Sequence, residues 1–135
     1  MSSLYVSLIT PKRTLYDSDA EEVILPTNTG QVGILPQHAN LVSCLDIGVM
    51  SLKVQNSWRF FACLDGFLSV ERNRVLVLVN GAEGKEDIDP DEAEREFEKA
   101  KRNLDASSGS GENKKRLEAQ FALRRARTRL SVSRD

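Results

Sequence analysis

Histidine is almost missing from this 135-residue sequence: His38 is the only one. The two cysteines, Cys44 and Cys63, form no C-x-x-C pair. A zinc site built on Cys and His spacing is thereby excluded. Two cysteines cannot build the disulfide framework of a small secreted domain either, so both are expected to be small buried side chains on strands. Long apolar runs are lacking. Those present, such as residues 75–79, are strand-sized and fall far short of the roughly 18 residues that cross a bilayer. The opening residues, Met1-Ser2-Ser3-Leu4-Tyr5, show no basic region leading into an apolar stretch and no Arg-rich, acid-poor segment, so neither a signal nor a transit peptide is expected. An excess of one charge is lacking too. The 19 Lys and Arg against 20 Asp and Glu leave a net charge of −1, so no whole-chain basic field exists to gather nucleic acid or anionic lipid. What remains is a globular composition, 40% hydrophobic and 29% charged, long enough for one ordinary domain with an appendage.

Two periods divide the chain. From residue 4 to about 82 the pattern is that of strands. Leu4, Val6 and Leu8 alternate with Tyr5, Ser7 and Ile9. Further short runs follow at 22–25, 31–35, 48–54, 59–63, 67–71 and 74–80. Turn residues separate them, including Asn28-Thr29-Gly30, Gln55-Asn56-Ser57, Asp65-Gly66 and Arg72-Asn73. This spacing predicts an antiparallel β-sandwich or barrel. Gly48 and Gly66, at strand starts, suggest bulges or sharp bends.

The period changes at Asp87-Ile88-Asp89-Pro90. Asp89 suits an N-cap and Pro90 the first helical position. Asp91, Glu92 and Glu94 complement the positive end of the helix dipole. Ala93, Phe97, Ala100 and Leu104 then recur at helical spacing, which predicts a helix ending near Asp105. Ser107-Ser108-Gly109-Ser110-Gly111 breaks it. A second helix is predicted from about Glu112 to Leu130, with Leu117, Phe121, Ala122, Ala126 and Leu130 on one face. A short Ser/Gly loop between two helices predicts an antiparallel hairpin. Its alanine-rich seam buries little area per residue and stabilises weakly, at roughly 25 cal/mol per Å² of apolar surface. The domain reading is therefore a sandwich over 1–86 and a two-helix hairpin over 87–135.

The two helices carry opposite charge. Residues 89–105 hold seven acids and four bases, net −3, whereas 112–130 hold two acids and seven bases, net +5. Arg124, Arg125, Arg127 and Arg129 place four arginines in six positions, more than solubility needs, and arginine suits carboxylate and phosphate alike.

No constellation for catalysis emerges. Gly30 and Gly33 sit between strands, not at a helix opening, so they read as turn and bulge glycines rather than a phosphate cradle. His38 follows Pro36 without a second base or nucleophile beside it and reads as a packed or interface histidine. The carboxylates of the first helix read as a solvated face. No catalytic residue, metal or cofactor is assigned.

The stretch Val23-Ile24-Leu25-Pro26-Thr27-Asn28-Thr29-Gly30-Gln31-Val32-Gly33-Ile34-Leu35-Pro36-Gln37-His38-Ala39, continued by Leu45-Asp46-Ile47-Gly48-Val49, contains the pattern G-x-x-G-x-L-P-x-H. It resembles the signature region of the epsilon subunits of F-type ATP synthases. Asp65-Gly66-Phe67 and Asp87-Ile88-Asp89-Pro90 followed by Glu92-Ala93 are similar to further family segments. The ending Phe121-Ala122-Leu123-Arg124-Arg125-Ala126-Arg127-Thr128-Arg129 resembles the chloroplast and cyanobacterial versions.

The resemblance implies about ten strands in the sandwich and a non-catalytic central-stalk role. It implies that the sandwich binds the gamma subunit and rests on the c-ring, with Asn28, Thr29, Gly30, Gln31, Gly33, Leu35 and His38 as candidate rotor contacts. The hairpin is implied to permit ATP hydrolysis when folded down and to block it when extended against the alpha and beta subunits. Arg124, Arg125, Arg127 and Arg129 are then the candidate inhibitory contacts. A peripheral place on the stromal side of the chloroplast thylakoid follows, or the cytoplasmic side of a cyanobacterial membrane. No homo-oligomer and no nucleic-acid partner are expected. Some bacterial members bind ATP through I/L-D-x-x-R-A. Here Ile88-Asp89-Pro90-Asp91-Glu92-Ala93 puts a carboxylate, Glu92, at the arginine position, which argues against ATP sensing. A nucleotide sensor and a nucleic-acid-binding domain stand as the alternatives. The second lacks aromatic stacking platforms near the arginines.

Overall fold

The computed structural model describes residues 3–107 and 113–134. Ten strands come first: β1 (Leu4–Ile9), β2 (Thr14–Ala20), β3 (Glu22–Thr27), β4 (Gly30–Ile34), β5 (Leu41–Leu45), β6 (Gly48–Val54), β7 (Ser57–Cys63), β8 (Gly66–Glu71), β9 (Arg74–Val79) and β10 (Ala82–Gly84). A short 3-10 turn, Lys85–Asp87, leads into α1 (Pro90–Ser107) and α2 (Asn113–Arg134).

Hydrogen bonding runs in the order β10-β7-β6-β3-β5-β8-β9-β1-β2, with β4 on the remaining side of β3. Strand β3 makes the closure. It pairs with β6 over residues 22–24 and with β5 at Thr27, passing from one layer to the other. All pairings are antiparallel except β1 with β9, which is parallel. The alternation read in the sequence supplies the core: Leu4, Val6, Leu8, Val23, Leu25, Met50, Leu52, Leu68, Val70, Val75 and Val77 are fully buried between the layers.

Two hairpin turns, Gln55-Asn56 and Arg72-Asn73, have positive φ at both residues, the geometry that matches the twist of tight two-residue hairpins. Of the bulges or sharp bends expected at Gly48 and Gly66, no bulge forms: the register is regular from both residues onward. Both glycines instead answer close approach, Gly48 against the Pro26 ring and Gly66 against the β9 backbone.

Cys63 is buried, as expected, and burial pushes its thiol up to about 12. Cys44 is exposed, contrary to expectation, because β5 turns it to the outer side of its sheet. Asp89 caps α1: its Oδ1 accepts the backbone N–H of Asp91 at 3.0 Å. Both helices run further than the sequence predicts, to Ser107 and to Arg134. Ala106 and Ser107, expected in the loop, belong to α1, and the remainder of that loop, 108–112, lies outside the described residues.

Candidate functional site: two interaction surfaces

Helix α2 lies between α1 and the sandwich. Two small apolar clusters hold it. Between the helices, Ala100 packs against Leu123 and Ala126, with Phe97 and Leu104 at the margin. At the tail of α2, Leu130 and Val132 meet Ala62, Ile88 and Ala93, with Val49, Phe60 and Phe97 alongside. The inward face is therefore Leu123, Ala126, Leu130 and Val132. Leu117 (64% exposed) and Phe121 (46% exposed) do not belong to it, contrary to the face read from spacing. Leu123 takes the contact with α1 in their place.

The four candidate inhibitory arginines divide into two pairs. Arg129 is 13% exposed and grips Glu83 of β10 with two nitrogens, Nε at 2.7 Å and Nη2 at 3.1 Å. Its remaining nitrogen, Nη1, donates to Glu96 of α1. The Glu83 carboxylate holds the Arg129 guanidinium above its ordinary pKa despite partial burial. Arg124 contacts Asp46 at 2.6 Å, and its guanidinium holds that carboxyl below the usual range. Arg125 and Arg127 are exposed. Arg125 stands at the mouth of a cleft of about 370 Å³ between α2 and the end of the sandwich, where Arg13, Ile47, Leu64 and Glu83 also line the wall. The second helix thus spends half of its arginine cluster on carboxylates of its own chain.

The candidate rotor residues do not form one site. Asn28, Thr29 and Gly30 make the exposed tip of the β3–β4 hairpin, where Gly30 has φ +126° and the Thr27 hydroxyl donates to the Gly30 carbonyl. Gln31 and Gly33 are exposed along β4. Leu35 and His38 lie beyond the opposite end of β4, in a turn closed by the His38 N–H and the Leu35 carbonyl at 3.1 Å. His38 is half-buried, with Nδ1 2.7 Å from the Ala39 carbonyl, and Gln37 donates its N–H to Asn73 Oδ1 at 2.6 Å. Glu92, at the arginine position of the I/L-D-x-x-R-A pattern, is exposed on the first turn of α1.

A surface missed in the sequence lies on the outer side of β5, β8, β9 and β1. Register places Cys44 opposite Phe67, Phe67 opposite Leu78, and Leu78 opposite Ile9, giving one apolar row across four strands. Val42 stands beside it at 67% exposure. A signal was present: residues 75–79 are apolar at every position, and a strand apolar on both faces is one that something covers on both faces. Among the described residues no three His, Cys, Asp or Glu side chains come together as a cation site, and no helix is long and apolar enough to cross a membrane.

Comparison with known proteins agrees with this architecture. Residues 3–85 match the family model for the ATP synthase delta/epsilon chain beta-sandwich domain, and residues 86–134 match that for the long alpha-helix domain of the same chain. The chloroplastic ATP synthase epsilon chain of Tupiella akineta is 47% identical over 130 residues, 96% of this chain and 98% of the relative. The ATP synthase epsilon chain of Gloeothece citriformis is 44% identical over 131 residues, 97% and 95% of the two chains. Among solved structures, a chain of the Euglena gracilis mitochondrial ATP synthase superposes with a TM-score of 0.81 at 18% identity, covering 95% of this chain and 79% of that one. At that identity the likeness concerns the fold. Sandwich, hairpin and sequence agree over nearly the whole length, and the chain belongs to the epsilon-chain family of the ATP synthases, alongside the epsilon chains of chloroplasts and cyanobacteria.

Proposed function

We propose that this chain is a non-catalytic central-stalk subunit that couples the gamma subunit and c-ring to the catalytic head, and that its C-terminal helices inhibit ATP hydrolysis. Residues 1–86 form the rotor-binding unit and residues 87–135 the regulatory one. The observation that carries the reading is the manner of attachment of α2. Helix α2, with eight Lys and Arg against one acid over 113–134, net +7, rests on the sandwich through one compact apolar patch and the ion pairs of Arg124 and Arg129. A contact of that kind can be left and remade elsewhere. Once released, Arg124, Arg125, Arg127 and Arg129 would meet carboxylates of the alpha and beta subunits, for which the arginine fork is well shaped.

The gamma subunit docks on the apolar row of Cys44, Phe67 and Leu78 with Val42, and the c-ring meets the β3–β4 tip at Asn28, Thr29 and Gly30, with Gln31, Gly33, Leu35 and His38 as further rotor contacts. The complex lies on the stromal side of the thylakoid, or on the cytoplasmic side of a cyanobacterial membrane. Deleting residues 88–135 from the assembled enzyme tests the regulatory half. ATP synthesis should stay coupled while ATP hydrolysis rises. Unchanged hydrolysis would refute it.

A further inference from the structure

We infer that Glu83 is the latch that holds the helical hairpin on the sandwich, and that it does so by occupying Arg129, one of the cations the released helix would present. The inference rests on the inhibitory reading above and adds its control element.

Arg129 joins all three parts of the molecule. It sits on α2, binds Glu96 on α1, and binds Glu83 on β10. Every nitrogen of the guanidinium is thereby engaged. When the two helices move as a pair, Glu96 travels with Arg129, whereas Glu83 stays on the sandwich. Of the two carboxylates that Arg129 holds, only Glu83 reports whether the hairpin is docked.

Two other ion pairs of α2 are more exposed. Arg124 and Asp46 are 47% and 43% exposed, and Arg134 stands 3.7 Å from Glu94 with both side chains mostly in water. Exposed pairs of this kind contribute little. The Arg129–Glu83 pair differs on two counts. Its arginine is largely shielded from solvent, and it uses the two-nitrogen geometry that makes carboxylate–guanidinium pairs strong. Beneath it the apolar patch gathers Leu130 and Val132 with Ala62, Val49 and Phe60, and the ion pair adds the directional tie between α2 and β10. Because a carboxylate holds the arginine down, a surface rich in carboxylates competes for the same group. Release is then an exchange of one acid partner for another.

The test uses amide hydrogen exchange over residues 125–134 in the full-length chain, together with hydrolysis by the assembled enzyme. Glu83→Gln should speed exchange at those amides about tenfold, the effect of losing one charged hydrogen-bonded pair. Glu94→Gln should leave them unchanged, and exchange in β8 and β9 should match the parent, showing an intact sandwich. Arg129→Lys, which keeps the charge but loses the fork, should also speed them. If neither Glu83→Gln nor Arg129→Lys alters exchange at 125–134, Glu83 is not the latch. Faster exchange with stronger inhibition of hydrolysis supports the whole inference. Faster exchange with unchanged inhibition keeps the latch and overturns the inhibitory reading.

Discussion

A Cβ placed on Gly66 would fall 2.0 Å from the carbonyl oxygen of Leu78 and 2.6 Å from the Cα of Val79. Strand β8 thus starts against the β9 backbone with no room for a side chain, and the neighbouring atoms are main chain, unable to swing aside.

The Gly66→Ala substitution should therefore destabilise the sandwich by about 3 kcal/mol, the upper end for an overpacked interior that must shift backbone. Thermal unfolding followed by circular dichroism should show the melting temperature lowered by about 10 °C. A change within error would mean that β8 and β9 separate there at little cost.

The two cysteines offer a test of the outer sheet face. Cys44 is exposed within the apolar row, whereas Cys63 is buried with its thiol pushed up to about 12. In the free chain a thiol reagent at neutral pH should modify Cys44 and leave Cys63 intact until the protein unfolds. Assembly with the gamma subunit should protect Cys44. Val42→Glu should weaken that assembly about tenfold or more while leaving the melting temperature nearly unchanged, since Val42 already faces water. Full labelling of Cys44 in the assembled stalk would place the gamma contact elsewhere.

Acid should loosen the molecule at two seams. The Arg124 guanidinium lowers the pKa of Asp46, and the Arg13 guanidinium, 2.8 Å away, lowers that of Asp87, aided by the Gly84 N–H. A carboxyl whose folded pKa is depressed contributes stability that is present above its unfolded value, about 4, and is lost as pH falls through the folded value. Protection in α2 and in the 3-10 turn, taken relative to the intrinsic exchange rate at each pH, should therefore fall slightly as pH drops below about 4. Asp46→Asn should abolish the Asp46 part of that response in α2. A flat profile down to pH 3 would contradict the assignment.

Legibility in the sequence follows burial. Strands β1, β8 and β9 were readable because their inward residues alternate and are large and apolar. Strand β2 was not, because it is an edge strand whose Thr14, Asp17, Ser18 and Asp19 face water, with Tyr16 and Ala20 buried and Leu15 half-buried against the core. Strand β10 is three residues long, too short for any period to register. The helix start was legible through Asp89 and Pro90, since capping is a local event. The partition of the arginines was not. Arg129 and Arg127 look alike in sequence, and only the approach of β10, which brings Glu83 across 46 residues of chain, distinguishes them. The alanine spacing in α2 likewise fits several faces, and the choice of Leu123 over Phe121 depends on where α1 lies.

The ties between α2 and the sandwich fall in the rear half of the helix, from Arg124 to Val132. The forward part, back to Asn113, overhangs them by about 17 Å at 1.5 Å per residue. Among the described residues its apolar support comes from α1, so the structure is a cantilever clamped near its root. A tilt of about 30° at the clamp would carry the free end of that overhang, about 17 Å long, through some 9 Å. Slight loosening at the root therefore becomes a wide sweep at the far end, without any bending of the helix itself.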